Sequence, residues 1–363
     1  MSTLREAQAL AQVARRYYLS GRSQQQIADE LGLSRSNISR MLSAALDRGI
    51  VEIRIHDPSG RDEQLEHELQ DAFGLREARV AVWADNTDSD DPLTRVDPLT
   101  RVGPLAAELL LETAVDGARL ALSWGRALQA MVWATTAKRQ HPVELVQLVG
   151  GLASIDDEIS GQELVRDLAN RLGAAGCHYL HAPAVLSSPQ ARDALMTESS
   201  VAATLDAARQ ADVAFVGIGS PDHGSSARVL ETVSEQRAAA MGAFWAQQPV
   251  GDVALRYFDL DGRPVGGRVD EQIIGVDIGD LKRIPTVVGV ASGQAKVRAV
   301  TGALRGRIID VLVCDDGLAR SILEAAGQDL EASCPARPGP REPCDRGFRS
   351  GAMLLPIWRE PVG

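Results

Sequence analysis

The stretch QQQIADELGLSRSNISRMLS, residues 24–43, meets the constraints of a helix-turn-helix one position at a time. Ala28 falls where two helices approach closely and a larger side chain would clash. Gly32 falls in the turn, where positive φ is easiest for a residue without Cβ. Ile27, Leu31, Leu33, Ile38 and Met41 supply an apolar wedge between the helices, and Ser34 stands where a hydroxyl caps the free amides of the second helix. A recognition helix would therefore begin at Arg35. Its exposed early residues Arg35, Ser36, Asn37, Ser39 and Arg40, with Gln24 heading the preceding helix, are the candidate DNA contacts. Arginine pairs with guanine, asparagine with adenine, and serine with either base or phosphate. The bland alternative is an αα-hairpin with ordinary solvated polar residues; it does not explain the small, glycine and apolar positions together.

Outward from this stretch, residues 3–20 read as a helix with Leu4, Ala7, Leu10, Ala11, Ala14 and Tyr18 at helical spacing, ended by Gly21. Residues 23–31 and 34–48 are the two helices of the motif, and Ile50–Ile55 reads as a short strand, a small wing. The turn cluster Asp57-Pro58-Ser59-Gly60 closes a DNA-binding domain of residues 1–58. Within a linker of residues 59–77, RDEQLEHELQDAF (61–73) is a charged amphipathic helix that joins the domains or packs between subunits.

From Ala78 the pattern changes to apolar strands alternating with helices. The expected strands are 78–83, 118–122, 143–149, 177–181, 212–218, 252–258, 286–291 and 309–314, with helices including 104–115, 160–173, 190–209 and 294–304. Such alternation implies a mainly parallel, Rossmann-like α/β sheet covered on both faces, here residues 78–330. Two identical hexamers, DPLTRV at 91–96 and 97–102, read as an enlarged surface loop, and the Pro-rich residues 331–363 read as an unpacked tail.

The chain has 363 residues, 45% apolar and 24% charged, a globular composition. No apolar run reaches the roughly 18–20 residues of a membrane helix, and MSTLREAQAL lacks the basic flank and apolar core of a signal peptide. Cys177 and Cys314 sit in core-like segments and Cys334 and Cys344 in the tail, with no CxxC spacing. That usage fits a reducing cytoplasm, with a Cys334–Cys344 disulfide left open. Net charge is −11, but residues 1–56 hold eight arginines against five carboxylates, so the head is +3 and the remainder −14. A basic head on an acidic body is compatible with docking on phosphates.

The chain resembles the SorC-type family of sugar-binding bacterial transcriptional regulators over residues 5 to about 325. The resemblance rests on residues 23–42 together with LALSWGRALQAM (120–131), ELVQLVGG (144–151), CHYLHAPAVLSS (177–188), DVAFVGIGS (212–220), VGDVALRYFDLDGRPV (250–265), RIPTVVGVASGQAK (283–296) and DVLVCDDGLARSIL (310–323). It implies an effector domain of the sugar-phosphate isomerase/deaminase fold type, oligomers (homodimer or homotetramer), an operator in double-stranded DNA, and control by a phosphorylated sugar. No metal or other cofactor is implied.

The residues themselves point the same way. Ser123-Trp124-Gly125-Arg126 follows an apolar strand and opens a helix, a turn that offers free amides to a phosphate, with Arg126 as a charged partner. Lys296, one of only three lysines among 38 basic residues, follows Ser292-Gly293 at another strand end. In the family the matching lysine contacts the sugar phosphate. Gly217-Ile218-Gly219-Ser220 forms a third strand-end turn. Asp252 and Gln162 match polar effector contacts, and Gly150-Gly151 closes the list of candidates. Ala127 stands where the family usually has Thr, and Val149 where a bisphosphate-sensing relative has Arg, which together favour a monophosphate. The competing class is an active isomerase or deaminase with a DNA-binding appendage, which needs a base and an acid around the sugar carbons. No Asp/His/Glu cluster is evident at one strand end. His181 and His223 are the best candidates for a base, one expected in the core and the other in a loop.

Overall fold

The computed structural model describes residues 9–48, 50–51, 60–82, 97–152, 160–236 and 238–333. Its body is built on the strands β1 (Glu77–Ala81), β2 (Arg119–Leu122), β3 (Glu144–Gln147), β4 (Gly176–His178), β5 (Val213–Gly219), β6 (Gly251–Val253), β7 (Arg256–Phe258), β8 (Thr286–Val290) and β9 (Val311–Asp315). Seven of these lie side by side in the order β1-β9-β8-β5-β2-β3-β4, every neighbouring pair parallel. β6 and β7 form a small antiparallel arm off the end of β5.

Both sheet faces are dry, which is why the parallel strands are nearly continuous apolar runs. Successive residues divide between two cores. Ala214, Val216, Val287 and Leu312 face one, while Val213, Phe215, Val288 and Val313 face the other. The expected alternation of strands and helices around a parallel sheet is therefore the architecture found.

Departures from the expected elements have local causes. The run 252–258 is not one strand: it folds back at Ala254 and Leu255, both with positive φ (51° and 63°), to make the β6–β7 hairpin. Neither residue is Gly, Asn or Asp, so the turn carries no sequence mark. The helix expected over 190–209 is two, Pro189–Met196 and Ser199–Arg209, and the one over 294–304 is a 3-10 turn, Gln294–Lys296, followed by Val297–Arg305. The second hexamer of the tandem repeat is not loop. Pro98 precedes a helix, Leu99–Thr113, that starts five residues earlier than expected, and Val102 is fully buried in the core. The first copy and residues 334–363 of the expected tail lie outside the described residues, while 331–333, also expected in the tail, end the helix Asp316–Ser333.

The N-terminal head has its own apolar cluster of Leu10, Val13, Ala14, Ile27, Ala28, Ile38, Leu42 and Ala45. Its first motif helix, Gln24–Leu31, opens on a reciprocal cap in which the Ser23 hydroxyl accepts from Gln26 N–H and the Gln26 side chain accepts from Ser23 N–H. It ends at Gly32 with φ 65°. Arg35–Asp47 follows, with Ser34 Oγ accepting from Asn37 N–H at 3.3 Å. Leu33, expected in the wedge, is instead 38% exposed, because the left-handed turn at Gly32 carries it away from Ile27 and Ile38. The expected wing falls almost wholly on residues outside those described.

The helix expected as a linker, Glu63–Phe73, is packed into the body: Leu65 and Leu69 share a core with Val80 and Leu312. Buried Glu66 organises this junction. Its carboxylate accepts from Arg61 Nε and Nη2 at 2.9 and 2.7 Å and from Val80 N–H at 2.9 Å. Asp62 caps the helix through Leu65 N–H at 3.1 Å and receives Arg320 Nη2 from the helix Asp316–Ser333 at 3.2 Å. Glu66→Ala leaves a buried N–H and a half-buried guanidinium without their acceptor. It is expected to cost about 2 kcal/mol in urea unfolding, and an unchanged midpoint would show that the carboxylate is not what holds the helix down.

Candidate functional site

A cavity of about 360 Å³ opens at the carboxyl ends of β2, β5 and β8. Its place follows from topology. The chain leaves β2 toward β3 on one side of the sheet, while β5, the other neighbour of β2, leads to β8 on the opposite side. Where connections diverge in this way the loops part and leave a crevice, the usual ligand position of such sheets.

Three strand ends supply the walls. After β2 come Ser123 to Ala127; β5 gives its last residues, Gly217 to Gly219, and then His223, Gly224 and Ser226; after β8 come Ala291 to Gly293, Ala295 and Lys296. The hairpin arm adds Asp252, Ala254 and Leu255, and the second hexamer adds Asp97, Pro98 and Leu99.

At the first wall, Ser123 is pinned rather than free. Its N–H donates to Phe215 O at 3.1 Å and its hydroxyl accepts from Gly217 N–H at 3.2 Å, fastening β2 to β5. Gly125 has φ 125° and ψ 167°, a conformation closed to most side chains, and it caps the helix Arg126–Ala134 without a side-chain acceptor. The first amides of that helix are thus left for a ligand. Arg126 is exposed and pairs with Asp97 Oδ2 at 2.6 Å. Ala127 lines the cavity, so the hydroxyl that a Thr would bring is missing from the wall itself.

At the second wall, Asp252 is 4% exposed. Its Oδ2 accepts from Leu255 N–H at 3.1 Å, and Oδ1 has no hydrogen-bond partner of normal geometry among the described residues, although the Ser226 hydroxyl lies beside it. The carboxylate reaches this position because Gly219 has no side chain: a Cβ there would sit 1.9 Å from Asp252 Oδ1. Burial pushes the Asp252 carboxyl above the usual carboxylate range, while Ser226, the Lys296 charge and the Leu255 amide pull it back. An acidic oxygen, a lysine and free amides thus face one compartment, a set suited to a ligand with one anionic end and hydroxyls at the other.

Of the twelve candidate positions read from sequence for this site, Ser123, Trp124, Gly125, Arg126, Gly217, Gly219, Asp252 and Lys296 line the cavity. Four stand outside that lining. Gly150 is covered by the backbone of residues 182–184, and its carbonyl accepts from Trp124 Nε1 at 3.0 Å, holding the indole. Gly151 bridges to Pro183, Ser220 is buried and bridged to His223, and Gln162 lies 3.4 Å from His181 Nδ1. Val149, beside them, is fully buried. Sequence reading missed Asp97, whose signal was the repeat, and Ser226, Ala254 and Leu255, which carried none. His223 was considered only as a base. Neither His181 nor His223 is in the core; both are exposed, and among the described residues the buried histidine is His141, which bonds Ala114 O at 2.7 Å. Among the described residues no group of three or more His, Cys, Asp or Glu side chains converges as a metal site requires.

In the head, Ile38 and Leu42 face the core while Arg35, Ser36, Ser39 and Arg40 are exposed along one side of their helix, with Asn37 and Gln24 half-buried at its edge. Arg40 Nε reaches back to Ser36 O at 3.4 Å.

Comparison with known proteins places both parts. The family model described as a putative sugar-binding domain matches residues 57–324, and that of Sigma-70, region 4, matches residues 2–48. The chain is 33% identical over 327 residues to the transcriptional regulator LsrR of Klebsiella pneumoniae, covering 89% of this chain and 95% of that protein. It is 30% identical over 322 residues to the deoxyribonucleoside regulator of Bacillus subtilis, covering 88% and 98%. The crystal structure of the full-length sorbitol operon regulator SorC from Klebsiella pneumoniae superposes with a TM-score of 0.65 at 28% identity, covering 87% of this chain and 98% of that one.

The buried carboxyl sets a pH signature. A carboxyl whose folded pKa is raised contributes stability below its unfolded value, and that contribution is lost as pH rises through the folded one. Asp252→Asn keeps an oxygen for Leu255 N–H and removes the charge. The variant is therefore expected to melt at or above the wild-type temperature at alkaline pH, the difference shrinking as pH falls and the Asp252 carboxyl takes up its proton. A variant that melts lower at the alkaline end would contradict the shift.

Proposed function

The chain belongs to the SorC-type family of transcriptional regulators with a sugar-binding domain, and from that premise we propose that a small phosphorylated sugar bound in the β2/β5/β8 cavity controls its attachment to an operator. The protein is a DNA-binding regulator and not an enzyme, as are the named relatives that span its length. In this reading the sugar phosphate sits on the free amides at residues 125–127, with Arg126 and Lys296 balancing its charge, and a sugar hydroxyl donates to Asp252. The observation that carries the reading is Asp252 Oδ1, a buried acceptor that faces the cavity with only the poorly aligned Ser226 hydroxyl beside it among the described residues. A buried carboxylate oxygen short of a well-aligned donor is costly, and a hydroxyl from the ligand relieves it.

The wall that carries Lys296 is tied to β9 and to the helix Asp316–Ser333 by consecutive contacts. Gly293 N–H donates to Asp315 Oδ2 at 2.7 Å, Gln294 Nε2 donates to Gly317 O at 3.0 Å, and Ser321 Oγ donates to Gln294 Oε1 at 2.7 Å. One residue earlier on that helix, Arg320 holds Asp62, the cap of Glu63–Phe73. A ligand that draws Lys296 inward therefore pulls on the helix through which the chain reaches its head. One short recognition helix per copy offers few base contacts, so operator binding by a homodimer or homotetramer follows, in the reducing cytoplasm that the cysteine usage fits.

A thermal-shift series with pentose and hexose monophosphates tests the reading. The true ligand at one hundred times its dissociation constant should stabilise the protein by about 2.7 kcal/mol and shift operator binding. No stabilisation by any sugar phosphate would sink it. Lys296→Ala should lose the response and keep operator binding. Arg40→Ala should weaken operator binding by about tenfold with the ligand still bound. Arg320→Ala should leave both separate affinities near wild type and reduce the effect of one on the other; undiminished coupling would remove Arg320 from the route.

A further inference from the structure

The tandem hexamer is a sequence feature that the regulatory reading leaves unused, and its second copy begins at the cavity. Asp97 is held by its own helix: Oδ1 accepts from Leu99 N–H at 3.0 Å, and its carbonyl accepts from Thr100 Oγ1 at 2.8 Å. That fixes the carboxylate on the cavity rim, where Oδ2 takes Arg126 Nη2 at 2.6 Å. The pair also forms the partition to a neighbouring hollow of about 420 Å³ that includes Trp133. Arg126 is the cation that opens the helix whose free amides face the cavity, so a carboxylate already stands where an anionic ligand would seek its charge.

We infer that Asp97 is a selectivity residue of this site, an internal counter-anion that lowers affinity for phosphate and discriminates most against ligands with more than one phosphate. The inference rests on the reading of the cavity as a phosphorylated-sugar site. The chemistry is electrostatic competition. A phosphate dianion on Arg126 must displace the Asp97 carboxylate or lie beside it, and either event costs affinity. The side chains of Arg126 and Asp97 are 63% and 44% exposed, so the pair is weak enough to open, and an exposed pair withholds at most about a fivefold factor. A second phosphate near the same rim meets the same fixed charge, and the described lining holds no arginine or lysine beyond Arg126 and Lys296 to answer it. A neutral sugar meets no such penalty.

The test is calorimetric titration of the full chain with inorganic phosphate, ribose 5-phosphate, ribulose 1,5-bisphosphate and ribose, comparing wild type, Asp97→Asn, Arg126→Ala and the double variant. Asn keeps the acceptor for Leu99 N–H, and Asp97→Ser, which also caps, serves as the second removal of charge. The expected result is about fivefold tighter phosphate binding in both Asp97 variants, a larger gain for the bisphosphate, and no gain for ribose. In the Arg126→Ala background the gain should disappear. Equal or weaker phosphate affinity in both Asp97 variants overturns the role of Asp97 while leaving the cavity a phosphate site. Absence of phosphate binding in wild type and all variants overturns the site reading, and the inference with it.

Discussion

β2 and β5 lie side by side, yet the chain runs from them to opposite ends of the sheet. Because parallel strands need crossover connections, the two loops that leave their carboxyl ends cannot cover one another. The gap is filled by neither core: the layers that meet at Phe215 and Val216 stop at Gly217 and Gly219, where side chains give way to bare backbone. Asp252, Ser226 and Lys296 are gathered around this gap. The glycines let Asp252 approach, the Ser123 hydroxyl ties the two strands so that the gap keeps its width, and Lys296 enters from the third strand.

The hairpin arm depends on a second buried charge. Arg256, 6% exposed, donates to the carbonyls of Asp270, Gly275 and Val276 at 2.9–3.0 Å and to Asp270 Oδ1 at 2.8 Å. Residues 272–276 in turn exchange backbone hydrogen bonds with Leu148, Gly150, Ala184 and Leu186. One guanidinium thus does for this irregular segment what a neighbouring strand does elsewhere, satisfying carbonyls that would otherwise be buried alone. Its position directly after the Ala254–Leu255 turn links the arm that carries Asp252 to the segment beside Gly150, which holds Trp124.

Much of this was legible in the sequence because it is written in local pattern. Continuous apolar runs such as Val311–Cys314 mark strands buried on both faces, and Ser-Trp-Gly-Arg after such a run marks a strand-to-helix turn. The helix-turn-helix was legible for the same reason: Ala28, Gly32 and Ser34 each answer to one local constraint. What escaped depends on contacts far apart in the chain. Glu66 reads as one more charge on an amphipathic helix until Val80 is placed beneath it. Leu33 reads as core because only the direction of the turn at Gly32 sends it outward. Gly150 and Gly151 look like a ligand loop, but their partners are Trp124 and Pro183. The repeat reads as loop because a perfect tandem hexamer after the polar run NTDSDD looks like an insertion, yet its second copy caps and begins a helix.

The turn at Ala254 and Leu255 has one more consequence. Left-handed backbone disfavours residues with Cβ by about 1–2 kcal/mol each, and Asn-Gly would make the same reversal with less strain. Both side chains present instead face the cavity, and the amide of the second is the donor that orients Asp252. The folded state therefore sits above the lowest free energy that its own backbone path allows, and the difference is visible as two apolar groups lining the hollow. For a laboratory seeking a hardier protein this hairpin is an inviting place to begin, and it is also where gained robustness would come directly out of the shape that recognises the ligand.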